Sequence, residues 1–345
     1  MSRSRWRRAG ASARYASHGY DAARSRRHER GYAASVTAVE GRTSPRVWRE
    51  GAQDVRDLAD LSRTGIAYNL AYLAAAWTVA FGAIALVAVH PSWVTFVVAF
   101  VLVAARQQAL LNVEHECVHG NFLKRKRWDD VVAVALCASP VGSPYHAAKA
   151  RHLAHHRLLA TDDDPDAELH RGDDKATRLG VLRHFALGVL GGYALMVLVS
   201  KSDSLVDTTV RRRDRRNLVV SQLALLAILW ALFGWWAYPF LWLAPLVTLT
   251  AGAHLLRNFC EHALVGDEQG THPHRLISIR SNRMERFVVA PFNMNYHAEH
   301  HLFPWIPARR LPEVQHRLAS RPDAPARLFR GSYVGALVRY ARSLP

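Results

Sequence analysis

Residues 67–89, AYNLAYLAAAWTVAFGAIALVAV, and residues 93–113, WVTFVVAFVLVAARQQALLNV, are two apolar runs separated only by His90-Pro91-Ser92. A hydrocarbon layer of about 30 Å takes about 20 helical residues to cross, and each run is that long. The link is too short for anything but a tight antiparallel return. A second pair follows at residues 217–236 and 238–256 around Pro239, with Trp and Tyr near the turn where an interfacial belt would lie. An all-α membrane protein with four transmembrane helices in two hairpins is expected, and nothing reads as a β-rich domain.

Just beyond the second run stands His115-Glu-Cys-Val-His119, and two further clusters follow, His152-Leu-Ala-His155-His156 and His297-Ala-Glu-His300-His301. Imidazoles at i, i+3 and i+4 project from one side of a helix. An isolated pair at that spacing is weak evidence. Three clusters, each close to an apolar stretch, make a merely solvated helix surface a poor account. Eight converging imidazoles exceed what one tetrahedral zinc can use, so a two-metal centre is the natural reading, and imidazole alone does not choose the metal.

Ligands of one site must lie on one side of the membrane, so the chain crosses an even number of times between the second and third clusters. Residues 217–236 and 238–256 supply two crossings. Residues 185–199 are apolar but short and contain Gly188, Gly191 and Gly192; they are assigned to the interface. That assignment leaves Arg211–Arg216 on the cytoplasmic side, as the excess of positive charge in cytoplasmic loops prefers. Segments punctuated by Pro140, Gly142, Pro144, Pro304, Pro307 and Pro312 should build a cytosolic helical cap that holds the di-metal site.

His262 follows Asn258 by one helical turn near the end of the last run, where polar groups at a membrane-helix end are functional candidates. His254, nearer the lipid, reads as structural, and His146, His272 and His274 as surface or supporting residues. Glu116, Glu261 and Glu299 stand beside the histidines, where carboxylates commonly fix the tautomer of ligating imidazoles and raise their basicity. The acidic run Asp162–Asp166 could pair with the arginines or the histidines, but it reads first as an exposed turn. His115-Glu116-x-x-His119 also fits a zincin helix with Glu116 as general base, but an intramembrane zinc protease would leave six clustered histidines without a role. A metal transporter is disfavoured because no ionisable residue is expected to line the spans.

The chain has 345 residues, with 45 basic against 28 acidic and a formal charge of +17. The basic runs flank apolar spans rather than forming a separate domain, so membrane loops explain them and no nucleic-acid partner is expected. Residues 1–45 are expected to form a disordered basic arm on the cytoplasmic face, touching anionic lipid; no apolar segment follows their charges as a secretory signal requires. Residues 46–320 form the membrane domain and residues 321–345 a C-terminal tail. Cys117, Cys137 and Cys260 are too scattered for disulfides or a thiolate zinc site. Abundant Ala and Arg suggest a GC-rich bacterial source, hence the bacterial cytoplasmic membrane. Residues 131–136 could form an inward-facing apolar lining, though core packing explains them equally well.

His115-Glu-Cys-Val-His119, Arg151-His-Leu-Ala-His-His156 and Asn295-Tyr-His-Ala-Glu-His-His301-Leu-Phe-Pro304 resemble the three histidine boxes of membrane fatty acid desaturases and the related hydroxylases and ketolases. The likeness covers about residues 65 to 320. It implies a non-haem di-iron enzyme, holding two iron ions, that uses O2 to remove hydrogen from a lipid or fatty acyl chain. It also implies that His262 is a ninth ligand and that Asn258 acts through a water. A His-Pro-Gly-Gly haem-domain signature is lacking, so electrons are expected from an external donor, a ferredoxin or a cytochrome with its reductase. A double bond is the expected product, with a hydroxylated or keto product as the alternative within the same superfamily.

Overall fold

Proline has no N–H to continue a helix, and Pro91 accordingly divides the first apolar pair. α1 (Ile66–Val89) stops at His90. α2 (Trp93–Val118) restarts with a reciprocal cap: Ser92 Oγ accepts from the Thr95 N–H at 3.1 Å, and Thr95 Oγ1 accepts from the Ser92 N–H at 3.1 Å. α1 and α2 share one core through Ala76, Ala80, Ala83, Ile84, Ala99 and Val103, small side chains that let apolar helices approach closely. The chain is described by a computed structural model over residues 58–159, 161, 163–166, 177–192, 205–262, 276–320 and 328–344, all within the compact unit Val47–Pro345. The basic arm, His272, His274 and residues 193–199 of the expected interfacial segment lie outside the described residues.

After α2, a short helix α3 (Lys126–Val132) passes through a π-helical turn at Ala133–Ala138 and a tight turn at Ser139–Val141. The path then bends by 98° at Gly142, whose φ of +76° suits a residue without a Cβ. α4 (Tyr145–Leu158) follows and carries the second histidine cluster. α5 (Arg178–Val189) has 12 residues, too short to span. Gly188 lets it lie against the segment Pro239–His262, for a Cβ there would clash with Leu255 Cδ1.

α6 (Thr208–Phe233) begins with an Asp207 cap and ends where Gly234 turns to φ +99°. It starts nine residues before the expected 217 and stops before Trp235 and Trp236, because Asp207 supplies a better start than Asn217 and Gly234 a better stop. The run Arg211–Arg216 is therefore helical. The fourth apolar segment, Pro239–His262, also outruns its expected end at 256. It includes π-helical turns at Pro239–Leu243 and Leu246–Thr250 before α7 (Ala251–His262). Such turns leave carbonyls outside the regular ladder, and side chains from neighbouring helices take them up. Gln107 Nε2 donates to the Trp242 carbonyl at 2.7 Å, and Gln222 Nε2 to the Ser139 carbonyl at 2.7 Å.

Among the described residues, four helices are thus long and apolar enough to cross a membrane, Ile66–Val89, Trp93–Val118, Thr208–Phe233 and Pro239–His262, with the pair Lys126–Val141 and Tyr145–Leu158, bent by 98°, as a fifth only if it counts as one broken span. Only 11% of the apolar window of Thr208–Phe233 is buried, so that helix turns nearly all its apolar surface outward. Two sequence expectations are corrected here. Arg106 does lie within the second span, buried, with Nη2 donating to the Phe287 carbonyl at 3.1 Å and its guanidinium 4.0 Å from the Phe287 ring. Val131 and Leu136 face outward at 49% and 44% exposure, whereas Ala133 is buried, so residues 131–136 do not form one inward-facing lining.

The rest of the described chain is a parallel pair, β1 (Ile277–Ile279) with β2 (Leu328–Arg330), and four short helices, α8 (Arg283–Val288), α9 (His297–Leu302), α10 (Leu311–Ala319) and α11 (Tyr333–Ser343). Asn112 Nδ2 ties α2 to the Pro291 carbonyl at 2.7 Å, and Asn121 Nδ2 reaches the Pro304 carbonyl at 2.8 Å. These bonds hold the third histidine cluster against the end of α2.

Candidate metal centre

Because α2 continues past its apolar run, His115 and His119 are carried out of it on the same rigid helix. They meet three imidazoles from elsewhere: the ligand atoms of His115, His119, His152, His156 and His300 all lie within 4.8 Å of one another. His155, His262 and His301 form a second group on the same criterion, and His297 joins it through Nε2 contacts of 2.8 Å to His262 and 3.0 Å to His301. The two groups adjoin, for the His156 and His301 rings stack at 4.1 Å. Helical spacing explains the division. On α4, His152 and His156 are four apart and face one group, while His155 is turned toward the other. On α9, His297 and His301 share one face and His300 takes the next.

Nitrogen faces nitrogen throughout. His152 Nε2 stands 2.9 Å from both His119 Nε2 and His156 Nε2, and His300 Nε2 stands 3.1 Å from His156 Nε2. Two nitrogens each about 2.1 Å from one ion, at right angles about it, would be about 3.0 Å apart. The donor set therefore fits a transition metal. Both ring nitrogens of His115 are buried without a partner, a loss of about 1–3 kcal/mol for each unless something binds there. Burial pushes the imidazoles of His152, His156, His300 and His301 well below the usual histidine value, so they are neutral, the form that ligates a metal.

Carboxylates back the second group. His155 Nδ1 is 2.9 Å from Asp164 Oδ1, and Asp164 is 5% exposed. The expectation of an exposed acidic turn is thus corrected at Asp164. The turn folds under α4, with Arg151 Nε donating to Asp166 Oδ1 at 2.5 Å. His297 Nδ1 is 3.2 Å from Glu261 Oε2, and that carboxylate also accepts from Arg257 Nε at 3.0 Å and the Tyr333 hydroxyl at 2.7 Å. The other two acids do different work. Glu116 Oε2 accepts from the Ala308 N–H at 2.9 Å, and Glu299 Oε2 from Ser278 Oγ at 2.5 Å, which ties α9 to β1. Asn258 sits half-buried one turn before His262 on α7.

Sequence reasoning did not single out Asp214, Arg257 or Tyr333, and it left the pairing of the acidic run as the lesser of two readings. Asp214, within the basic run, accepts from the Ala147 N–H at 3.0 Å and lies 2.6 Å from His146 Nδ1, fixing the start of α4. One acid among five arginines was a signal that could have been read. His254 is half-buried on α7 and stands outside both imidazole groups.

Nine imidazoles gathered in two adjoining groups, beside four helices long enough to cross a membrane, define a class of histidine-rich membrane-helix proteins whose clusters could hold metal. The family described as "Fatty acid desaturase" matches residues 91–330, and the chain belongs to that family. A curated relative, dihydrorhizobitoxine desaturase of Bradyrhizobium elkanii, is 23% identical over 238 residues, which is 65% of this chain and 68% of the relative. Membership makes the protein an oxidoreductase of the desaturase and hydroxylase kind.

Proposed function

We propose that this protein is an O2-dependent, non-haem di-iron desaturase that places a double bond in a fatty acyl or lipid chain, with electrons from an external donor such as a ferredoxin or a cytochrome with its reductase. The observation that carries the reading is the gathering of His115, His119, His152, His156 and His300 beside His155, His262, His297 and His301. Bound iron would supply the one-electron redox steps and the O2 activation that no side chain here can perform. The chain's part is to hold and to exclude. Nine imidazoles would grip the two ions, with Asn258 reaching the second through a water. Asp164 and Glu261 set the orientation of His155 and His297, while buried Val113, Cys117 and Phe259 flank the polar centre with apolar surface.

In this reading the four helices span the bilayer as two hairpins and α5 lies in the interface. Residues 1–45 are a separate arm, and the histidines face the cytoplasm of a bacterial cell. A zinc protease is disfavoured because Glu116 Oε2 accepts from the Ala308 N–H, and because His115 and His119 share their group with three other imidazoles. The relative's name favours a double bond over a hydroxyl or keto product. Two measurements test the proposal. Metal analysis of the purified protein should give about two irons per chain, and a single zinc would reject it. Mass spectrometry of lipids from expressing cells should show products lighter by two hydrogens; products heavier by one oxygen would make it a hydroxylase instead.

A further inference from the structure

We infer that the two ion positions are unequal, and that the ion held by His155, His262, His297 and His301 binds more tightly than the one held by His115, His119, His152, His156 and His300. The inference rests on the two-metal reading above and adds a rank to its sites. Donor number alone would favour the five-imidazole group. Charge reverses that order. In the four-imidazole group, His155 Nδ1 is hydrogen-bonded to Asp164 at 2.9 Å, and the Glu261 carboxylate stands 3.2 Å from His297 Nδ1. A carboxylate on the far nitrogen makes an imidazole a stronger donor and fixes its ligating nitrogen before the ion arrives. It also places negative charge close to a dication in a buried setting, where screening is weak.

Among the described residues, no carboxylate stands in this way behind His115, His156 or His300. The Nδ1 atoms of His115, His156 and His300 are buried without a hydrogen-bond partner. The nearby acids are occupied elsewhere, Glu116 by the Ala308 N–H and Glu114 by Ser143 Oγ at 2.7 Å. Arg257 offsets part of the charge of Glu261. Asp164 is set by a backbone bond from the Asp166 N–H at 2.9 Å, so its carboxylate is aimed before any ion binds.

Ferrous iron is the probe, titrated without oxygen into the full chain after metal stripping in lipid nanodiscs, with bound metal read by equilibrium dialysis. Two ions should bind in separate steps. Asp164→Asn and Glu261→Gln should each weaken the tighter step by about 10- to 100-fold and leave the weaker one in place. Glu116→Gln, which keeps an acceptor for the Ala308 N–H, should change neither step. The two carboxylate variants are independent, so misfolding of one leaves the other to decide. Two ions binding with one common affinity, or the variants weakening the weaker step instead, would overturn the ranking and leave the two-metal reading intact. Fewer than two ions on the unaltered chain would overturn that reading itself.

Discussion

His300 and His301 are neighbours in the chain, yet they serve different groups: His300 Nε2 lies 3.1 Å from His156 Nε2, and His301 Nε2 lies 3.0 Å from His297 Nε2. Successive residues on a helix point about 100° apart, and α9 is wedged so that this angle separates the two positions. His300→Ala should therefore remove one nitrogen from the five-imidazole group, and His301→Ala one from the four-imidazole group. Each should abolish product while the protein stays inserted in the membrane, and each should cut bound iron from about two per chain toward about one. Product formation retained in both variants would refute the ligand roles. The three clusters could be read from the chain because imidazoles on one helix face leave a local spacing, whereas His262 was singled out by its place at a helix end and by the family resemblance. Asp164 could be read only as one acid of a run that could pair or stand exposed, since its partnership with His155 depends on a turn folding back beneath α4. The acidic run carried the right chemistry without revealing its direction.

At the scale of the element, α4 is the hinge of the site, for it supplies His152 and His156 to one group and His155 to the other. Its N-terminus is set by α6: Asp214 accepts from the Ala147 N–H at 3.0 Å and pairs with His146 Nδ1 at 2.6 Å. A carboxylate satisfying free N–H groups at a helix start is worth about 1 kcal/mol, and leaving such buried donors unpaired costs about 1–3 kcal/mol. Asp214→Ala should lower the midpoint of thermal unfolding in detergent. Because one helix feeds both positions, it should also loosen both ions together, which equilibrium dialysis would detect. Loss of a single ion would contradict this account. The ends of the elements were only partly legible. The apolar runs marked where helices could lie in lipid, but α2 and the Pro239–His262 segment continue past them to deliver His115 and His262. The start of α6 is decided by Asp207, a polar cap that a search for apolar runs passes over.

At the scale of the molecule, the proposed topology rests on parity among the described helices. The second cluster, on α4, and the third, on α9, meet in one place, and between them lie two helices of membrane length, Thr208–Phe233 and Pro239–His262. An even number of crossings returns the chain to the side it left. The turns at His90–Ser92 and Gly234–Trp236 should then lie on the face of the bilayer opposite the histidines. Cysteine labelling in intact cells tests this, since Cys117, Cys137 and Cys260 are all buried and should react slowly. Ser92 and Trp235 are exposed at the turns; Arg125 and Arg212 are exposed toward the histidine end. A membrane-impermeant thiol reagent should label Ser92→Cys and Trp235→Cys from outside, and Arg125→Cys and Arg212→Cys only after the cells are opened. The reverse pattern would keep both hairpins but turn the histidines outward, against the side chosen by Arg211–Arg216. Labelling of Ser92→Cys and Trp235→Cys from different sides would break the parity, and no arrangement of four spans could then bring the three clusters to shared ions.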